Sequence, residues 1–255
     1  MRKRIMVGFV VVLCLVAVPA MAQRLVYTGQ DPSCHSSEGQ ALDLTQNMVM
    51  WAGGSANPSI AYVWDFCDVG PLLTAAGFTN TTQILYADLD TTDLSGFDVL
   101  YIGYSSSDAG IVADQSAAAT NVQAYVDAGG NVVAEPQLGP YSWLPFGTAV
   151  GGTGSGGDDN VHIVDAGHPV MAGLTDVGLS GWGSSCHTIF TSPGAAGFLT
   201  LAVDVDAANQ ACTAVFQGAI PSMGPIGLVS LLALLLVAGL IFLRRGRLVS
   251  SRHAG

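Results

Sequence analysis

The chain has 255 residues, with nineteen acidic side chains against eight lysines and arginines and a formal charge of −11. All eight basic residues lie at positions 2–24 or 244–252, whereas all nineteen acids lie between Asp31 and Asp206. The body between the basic ends therefore holds one arginine, Arg24, and a formal charge of −18, a field that repels phosphates and excludes nucleic acid as a partner.

Arg2, Lys3 and Arg4 open the chain, an apolar run from Ile5 to Pro19 follows, and Ala20-Met21-Ala22 closes it. This is the order of a secretory signal peptide, and it predicts a leader over 1–22 cut between Ala22 and Gln23. Residues 23–46 are polar and turn-rich, with Gly29, Pro32, Ser36, Ser37 and Gly39, and read as an irregular N-terminal arm. A globular domain is expected over 47–217. Its first strand is predicted at Asn47–Trp51, and a helix over about Ile60–Ala76, interrupted near Gly70-Pro71 and stopped by Gly77. A short strand is expected over Gln83–Ala87.

Phe97–Tyr104 is a nearly continuous apolar run of the kind buried on both faces of a parallel sheet. Asp114 is the expected cap of the next helix, whose stripe is Ala118, Val122, Tyr125 and Val126. Gly129-Gly130 ends it, and Asn131–Glu135 returns to strand. The segment 147–159 reads as a flexible glycine-rich loop without the Gly-Lys-Ser/Thr end of a phosphate cradle. His162 lies in the strand-like stretch VHIV and reads as structural. From Thr188 to Gln217 two or three antiparallel strands are expected, including Phe198–Val205 and Ala211–Phe216, extending the sheet at one edge. The alternation calls for an α/β domain with a mostly parallel sheet.

Three phrases occur in order: LSGFDVL from Leu94, VQAYVDAGG from Val122 and HPVMAGL from His168. Together they resemble the flavodoxin-like class I glutamine amidotransferase superfamily over roughly residues 45–217. The resemblance implies a doubly wound sheet. Catalytic members place a cysteine at a sharp turn after the strand that here is Asn131–Glu135, but this chain has Pro136-Gln137-Leu138-Gly139. The fold is therefore expected without the amidotransferase chemistry.

After the domain, residues 218–227 include Ile220-Pro221-Ser222-Met223 and Gly227, and Ile226–Leu243 is eighteen residues without a charge. Such a run is about 27 Å long as a helix, enough to cross a thin hydrocarbon core. Arg244, Arg245, Arg247 and Arg252 lie in the basic tail 244–255, which places that tail on the cytoplasmic side and the domain outside. The motif, span and arginines resemble the IPTL-CTERM tail of the PEP-CTERM class, which implies sorting by an exosortase-like enzyme at the membrane.

Cys14 leaves with the leader, and Cys34, Cys67, Cys186 and Cys212 remain. Four cysteines in an exported chain suggest two disulfides with three pairings. Cys34–Cys67 with Cys186–Cys212 is favoured because each closes a short local loop. The doublets Cys34-His35 and Cys186-His187 lack C-x-x-C spacing, and neighbours in extended chain point to opposite faces, so no metal site is predicted. Asp88, Asp90, Asp93 and Asp98, and Asp204 with Asp206, depart from calcium-loop spacing and read as solvated loop carboxylates. No cofactor is predicted, Ca2+ being the ion those stretches leave open.

Gly53, Gly54, Tyr104, Ser105, Glu135 and Trp143 are expected near the carboxyl ends of the strands, where open sheets bind ligands. Trp51 and Trp143 offer flat faces to a neutral glycan or small ligand, or else pack in the core. His168 reads as a structural residue bonded to backbone, with a base oriented by Asp165 as the alternative. The sequence thus predicts an exported, envelope-anchored, non-catalytic interaction or structural domain. Its rival is an envelope hydrolase of carbohydrate or peptide using Glu135, Asp165 and His168.

Overall fold

The computed structural model describes residues 23–104, 108–137, 141–158, 160–183 and 185–218. The expected leader, sorting motif, span and basic tail lie outside them. Among the described residues no helix is long and apolar enough to cross a membrane.

The chain enters at once as strand β1, Arg24–Thr28, whose Leu25, Val26 and Tyr27 are buried. It continues as helix α1, Ala41–Gly53. Two expectations are corrected here: the irregular arm over 23–46 contains a central strand, and the strand predicted at Asn47–Trp51 is helical. The reason is periodicity. Ala41, Leu44, Thr45, Met48, Val49 and Ala52 are buried at helical spacing, and Gly54 closes the helix at φ +66°.

Strand β2 is Ile60–Val63 and helix α2 is Val69–Ala75. The helix predicted over 60–76 is therefore a strand followed by a shorter helix. Gly70-Pro71 starts that helix instead of breaking it, because the first turn has no use for the missing proline N–H and Asp68 caps it through Gly70 at 2.8 Å. Strand β3, Thr81–Gln83, comes earlier than expected, and Tyr86–Asp88 is a 3-10 turn.

Strand β4, Val99–Ile102, is buried throughout. Helix α3, Ala109–Asp127, buries Ala118, Val122, Tyr125 and Val126 as predicted, but Asp108 caps it and Asp114 lies inside. Strand β5 is Asn131–Ala134.

The glycine-rich segment read as a loop holds a turn of helix, α4 (Gly147–Val150), and strand β6 (Thr153–Asp158). Its backbone pairs with β8, Cys186–Ile189, in a separate two-stranded sheet. Strand β7 is Val161–Ile163 and helix α5 is Asp176–Leu179. Strands β9, Leu199–Asp204, and β10, Gln210–Gln217, are antiparallel neighbours as expected.

The main sheet has the order β3-β2-β4-β5-β1-β10-β9-β7. From β3 to β1 every pairing is parallel, and from β1 to β7 every pairing is antiparallel. This is an α/β architecture with a mostly parallel mixed sheet. Strand alternation sends Val26, Val99, Tyr101 and Val133 toward the core shared with α1 and α2. Leu25, Tyr27, Leu100, Ile102 and Val132 face the core shared with α3. Apolar side chains dominate both faces.

Candidate functional site

The carboxyl end of β1 is where the chain gathers polar groups. Gly29 follows the strand and is pressed against β8: a Cβ there would lie 1.6 Å from the Thr188 carbonyl oxygen. Its own carbonyl accepts the N–H groups of His187 at 2.9 Å and Thr188 at 3.3 Å, and the Gln137 amide at 2.8 Å. Only glycine permits this approach.

Beyond it, the Asp31 carbonyl accepts the N–H groups of Cys34 at 2.9 Å and His35 at 3.2 Å. That single helical turn puts the side chains of Asp31 and His35, four residues apart, on one face. Disulfides Cys34–Cys67 and Cys186–Cys212 hold the two segments from behind. The first ties the turn to the loop after β2, and the second ties β8 to β10.

Two imidazoles consequently meet one carboxylate. Asp31 Oδ1 lies 3.4 Å from His35 Nε2 and 3.6 Å from His187 Nε2. The Asp31 side chain is 2% exposed, while those of His35 and His187 are 18% and 27% exposed. The other nitrogen of His35, Nδ1, is 3.0 Å from Glu38 Oε1. Burial, then the nearby Glu135 charge, pushes the Asp31 carboxyl up to about 8. Among the described residues, this is the cluster of three metal-ligating side chains whose donor atoms lie within 4.8 Å of one another.

Glu135 sits just past β5 and is fully buried. Ser33 Oγ donates to its Oε2 at 2.5 Å, and the Tyr101 hydroxyl donates to its Oε1. Burial pushes its carboxyl up to about 7, against the lowering effect of those donors.

The other predicted catalytic residues are elsewhere. His168 precedes the 3-10 turn Pro169–Met171, and its Nδ1 accepts the Val170 N–H at 3.2 Å, the structural role expected of it. Its ring meets Trp51 edge-on at 5.0 Å, and burial lowers its pKa despite the Asp165 charge. Trp51 is in the last turn of α1, and its carbonyl accepts from Arg24, the first residue of β1, at 2.5 Å. His168 therefore belongs to the amino edge of the sheet, opposite Glu135. Asp165 bonds the Gly167 N–H at 3.2 Å in its own turn. The structure does not bring the three together.

Gly53 and Gly54 also lie at the amino edge, a correction that follows from α1 being a helix. Tyr104 is at the expected rim, where its ring is 5.1 Å from Phe66, and Ser105 lies outside the described residues. Trp143 is a core residue, 6% exposed and set edge-on to Tyr86 at 6.2 Å. Trp51 lies between His168 and the Arg24 guanidinium, 5.6 Å from its ring centre. Of the aspartates weighed for calcium, Asp93 accepts from Ser95 and Asp204 from Asp206 and Ala207 in local turns, and Asp98 accepts from Ser59 across a long stretch of chain.

Sequence reasoning missed Asp31, Ser33, Glu38 and Tyr101, and set His35 and His187 aside. The available signal was the repeated Cys-His doublet, with Asp31 four residues before the first histidine. Compared with protein-family models, curated proteins and solved structures, the chain matches none of them.

Proposed function

We propose that this is an exported, envelope-attached domain with a flavodoxin-like, amidotransferase-like core that binds or organises instead of catalysing. In this reading the leader 1–22 is removed, and an exosortase-like enzyme sorts the chain through Ile220, Pro221, Ser222, Met223 and Gly227. The segregation of all basic residues to the two ends supports that orientation. Two disulfides in a small acidic body fit an oxidising compartment.

The observation that carries the non-catalytic part is the separation of Glu135 from His168. One lies at the carboxyl rim with both oxygens bonded by Ser33 and Tyr101, and the other accepts a backbone N–H at the amino edge. A hydrolase using that pair with Asp165 lacks the shared cleft it needs. A neutral glycan or other uncharged ligand suits the acidic body better than an anion does.

Mass spectrometry of the protein extracted from membranes tests this reading. The expected product begins at Gln23, has all four remaining cysteines oxidised, and ends near Ile220-Pro221. An intact 244–255 segment replaces enzymatic sorting with a plain anchor. Recovery of the uncut chain from the cytosol with reduced thiols overturns export altogether.

A further inference from the structure

We propose that Asp31, His35 and His187 form a zinc site at the carboxyl rim, with one coordination position open to solvent or to a ligand atom. The proposal goes beyond an envelope role and does not depend on how the chain is attached.

The geometry is the first support. Tetrahedral zinc with bonds near 2.0 Å separates its donor atoms by about 3.3 Å. The two imidazole nitrogens stand 3.4 and 3.6 Å from Asp31 Oδ1, close to the edges of such a tetrahedron. A small movement of the half-buried rings completes the set.

The second support is the state of the carboxylate. Asp31 is 1% exposed, and its Oδ1 accepts no hydrogen bond among the described residues. A buried carboxylate so placed is costly unless positive charge compensates it, and a divalent ion between the rings would do so.

Glu38 is the third. Its carboxylate at 3.0 Å from His35 Nδ1 holds the proton on that nitrogen and turns Nε2 toward Asp31. Metal-binding histidines are commonly oriented by a carboxylate in this way.

Donor chemistry selects the ion. Two imidazoles and one carboxylate suit a first-row transition ion, whereas calcium and magnesium take oxygen donors. Two donor separations close to those of a tetrahedral shell favour zinc, and the −18 body draws cations toward it. Three protein donors leave a fourth place vacant in a tetrahedral shell. The partial exposure of both histidines opens that place to solvent.

The test uses the full-length oxidised chain in mild detergent, stripped with EDTA and titrated with zinc against a chromophoric chelator, with bound metal counted by mass spectrometry. We expect one zinc per chain and no displacement by millimolar calcium. His35→Gln and His187→Gln should each weaken binding at least 100-fold. Glu38→Gln should weaken it about 10- to 100-fold, as an orienting partner does. Near-UV circular dichroism and intact disulfides establish that each variant is folded. If the glutamine variants fail to fold, the wild-type stoichiometry decides alone. Absence of stoichiometric zinc on the wild-type chain overturns the proposal. So does a folded His35→Gln/His187→Gln double variant that keeps wild-type affinity.

Discussion

The two ends of the sheet hold the same kinds of side chain and put them to different uses. At the amino edge, His168 lies near Asp165 and against Trp51, and its Nδ1 accepts a backbone N–H. At the carboxyl edge, His35 and His187 both aim Nε2 at a buried Asp31. A histidine beside an acid is thus no sign of chemistry in itself. What distinguishes the rim is that separate chain segments, locked from behind by disulfides, converge on a carboxylate removed from water.

The largest expected effect comes from removing one of those locks. Cys186→Ala/Cys212→Ala opens a loop of sequence separation 26, which costs about 3.5 kcal/mol in the chain-entropy account. Urea unfolding should show that loss, and zinc affinity should fall with it. Cutting a staple on β8 should therefore damage the rim while leaving the His168 turn intact.

Next is pH, measured with EDTA present. Glu135 titrates at about 7 in the folded protein against 4.5 as its ordinary value. Between these values the folded state holds more protons, so stability is highest below 4.5 and falls as pH rises through 7. The loss is about 3 kcal/mol. Asp31 adds a decline of the same sign, starting near its ordinary 3.8 and ending near 8. Glu135→Gln should remove the first component from the pH–stability curve and shrink the second, because the Glu135 charge helps to raise Asp31. A curve that rises between pH 5 and 8 would refute the assignment.

Gly29→Ala should cost about 2 to 3 kcal/mol by overpacking against the Thr188 carbonyl, and should push His187 away from Asp31. His168→Ala is expected to cost about 1 kcal/mol through its lost cap, with zinc affinity unchanged. Smallest of all, His162→Ala removes a pair with Asp176 at 2.7 Å, both side chains being about half exposed. Its effect on thermal unfolding should stay within about 0.5 kcal/mol. If the His168 variant lost zinc, the contrast between the edges would fail.

Much of the sheet was legible because burial on both faces writes itself as apolar runs, as in Val99–Ile102 and in the stripe of α3. The first strand was not. RLVYT is only five residues long, follows the expected leader almost directly, and precedes a turn-rich stretch that dominates its surroundings. In α1, the cluster MVMW looks like a strand until the window is widened to Ala41. The two prolonged misreadings thus share a cause, a short window.

The rim was harder for another reason. That neighbours in extended chain face opposite ways is correct for Cys186 and His187, and it argues only against one doublet binding alone. Here each cysteine points back into a disulfide, and each histidine points forward to the same acid. The meeting of residue 31 with residue 187 follows from strand β10 pairing beside β1 and from Gly29 touching β8, contacts that no local pattern encodes.

The Gly218 N–H bonds the Gln23 carbonyl at 2.8 Å, so the polypeptide enters and leaves this domain through a single doorway. Strand β1 carries the chain away from that doorway from Arg24 to Thr28, roughly 13 Å of extended backbone, and Asp31 follows beyond its far end. A fluorophore joined at Gln23 or Gly218 would therefore start from the edge of the sheet opposite the histidine pair.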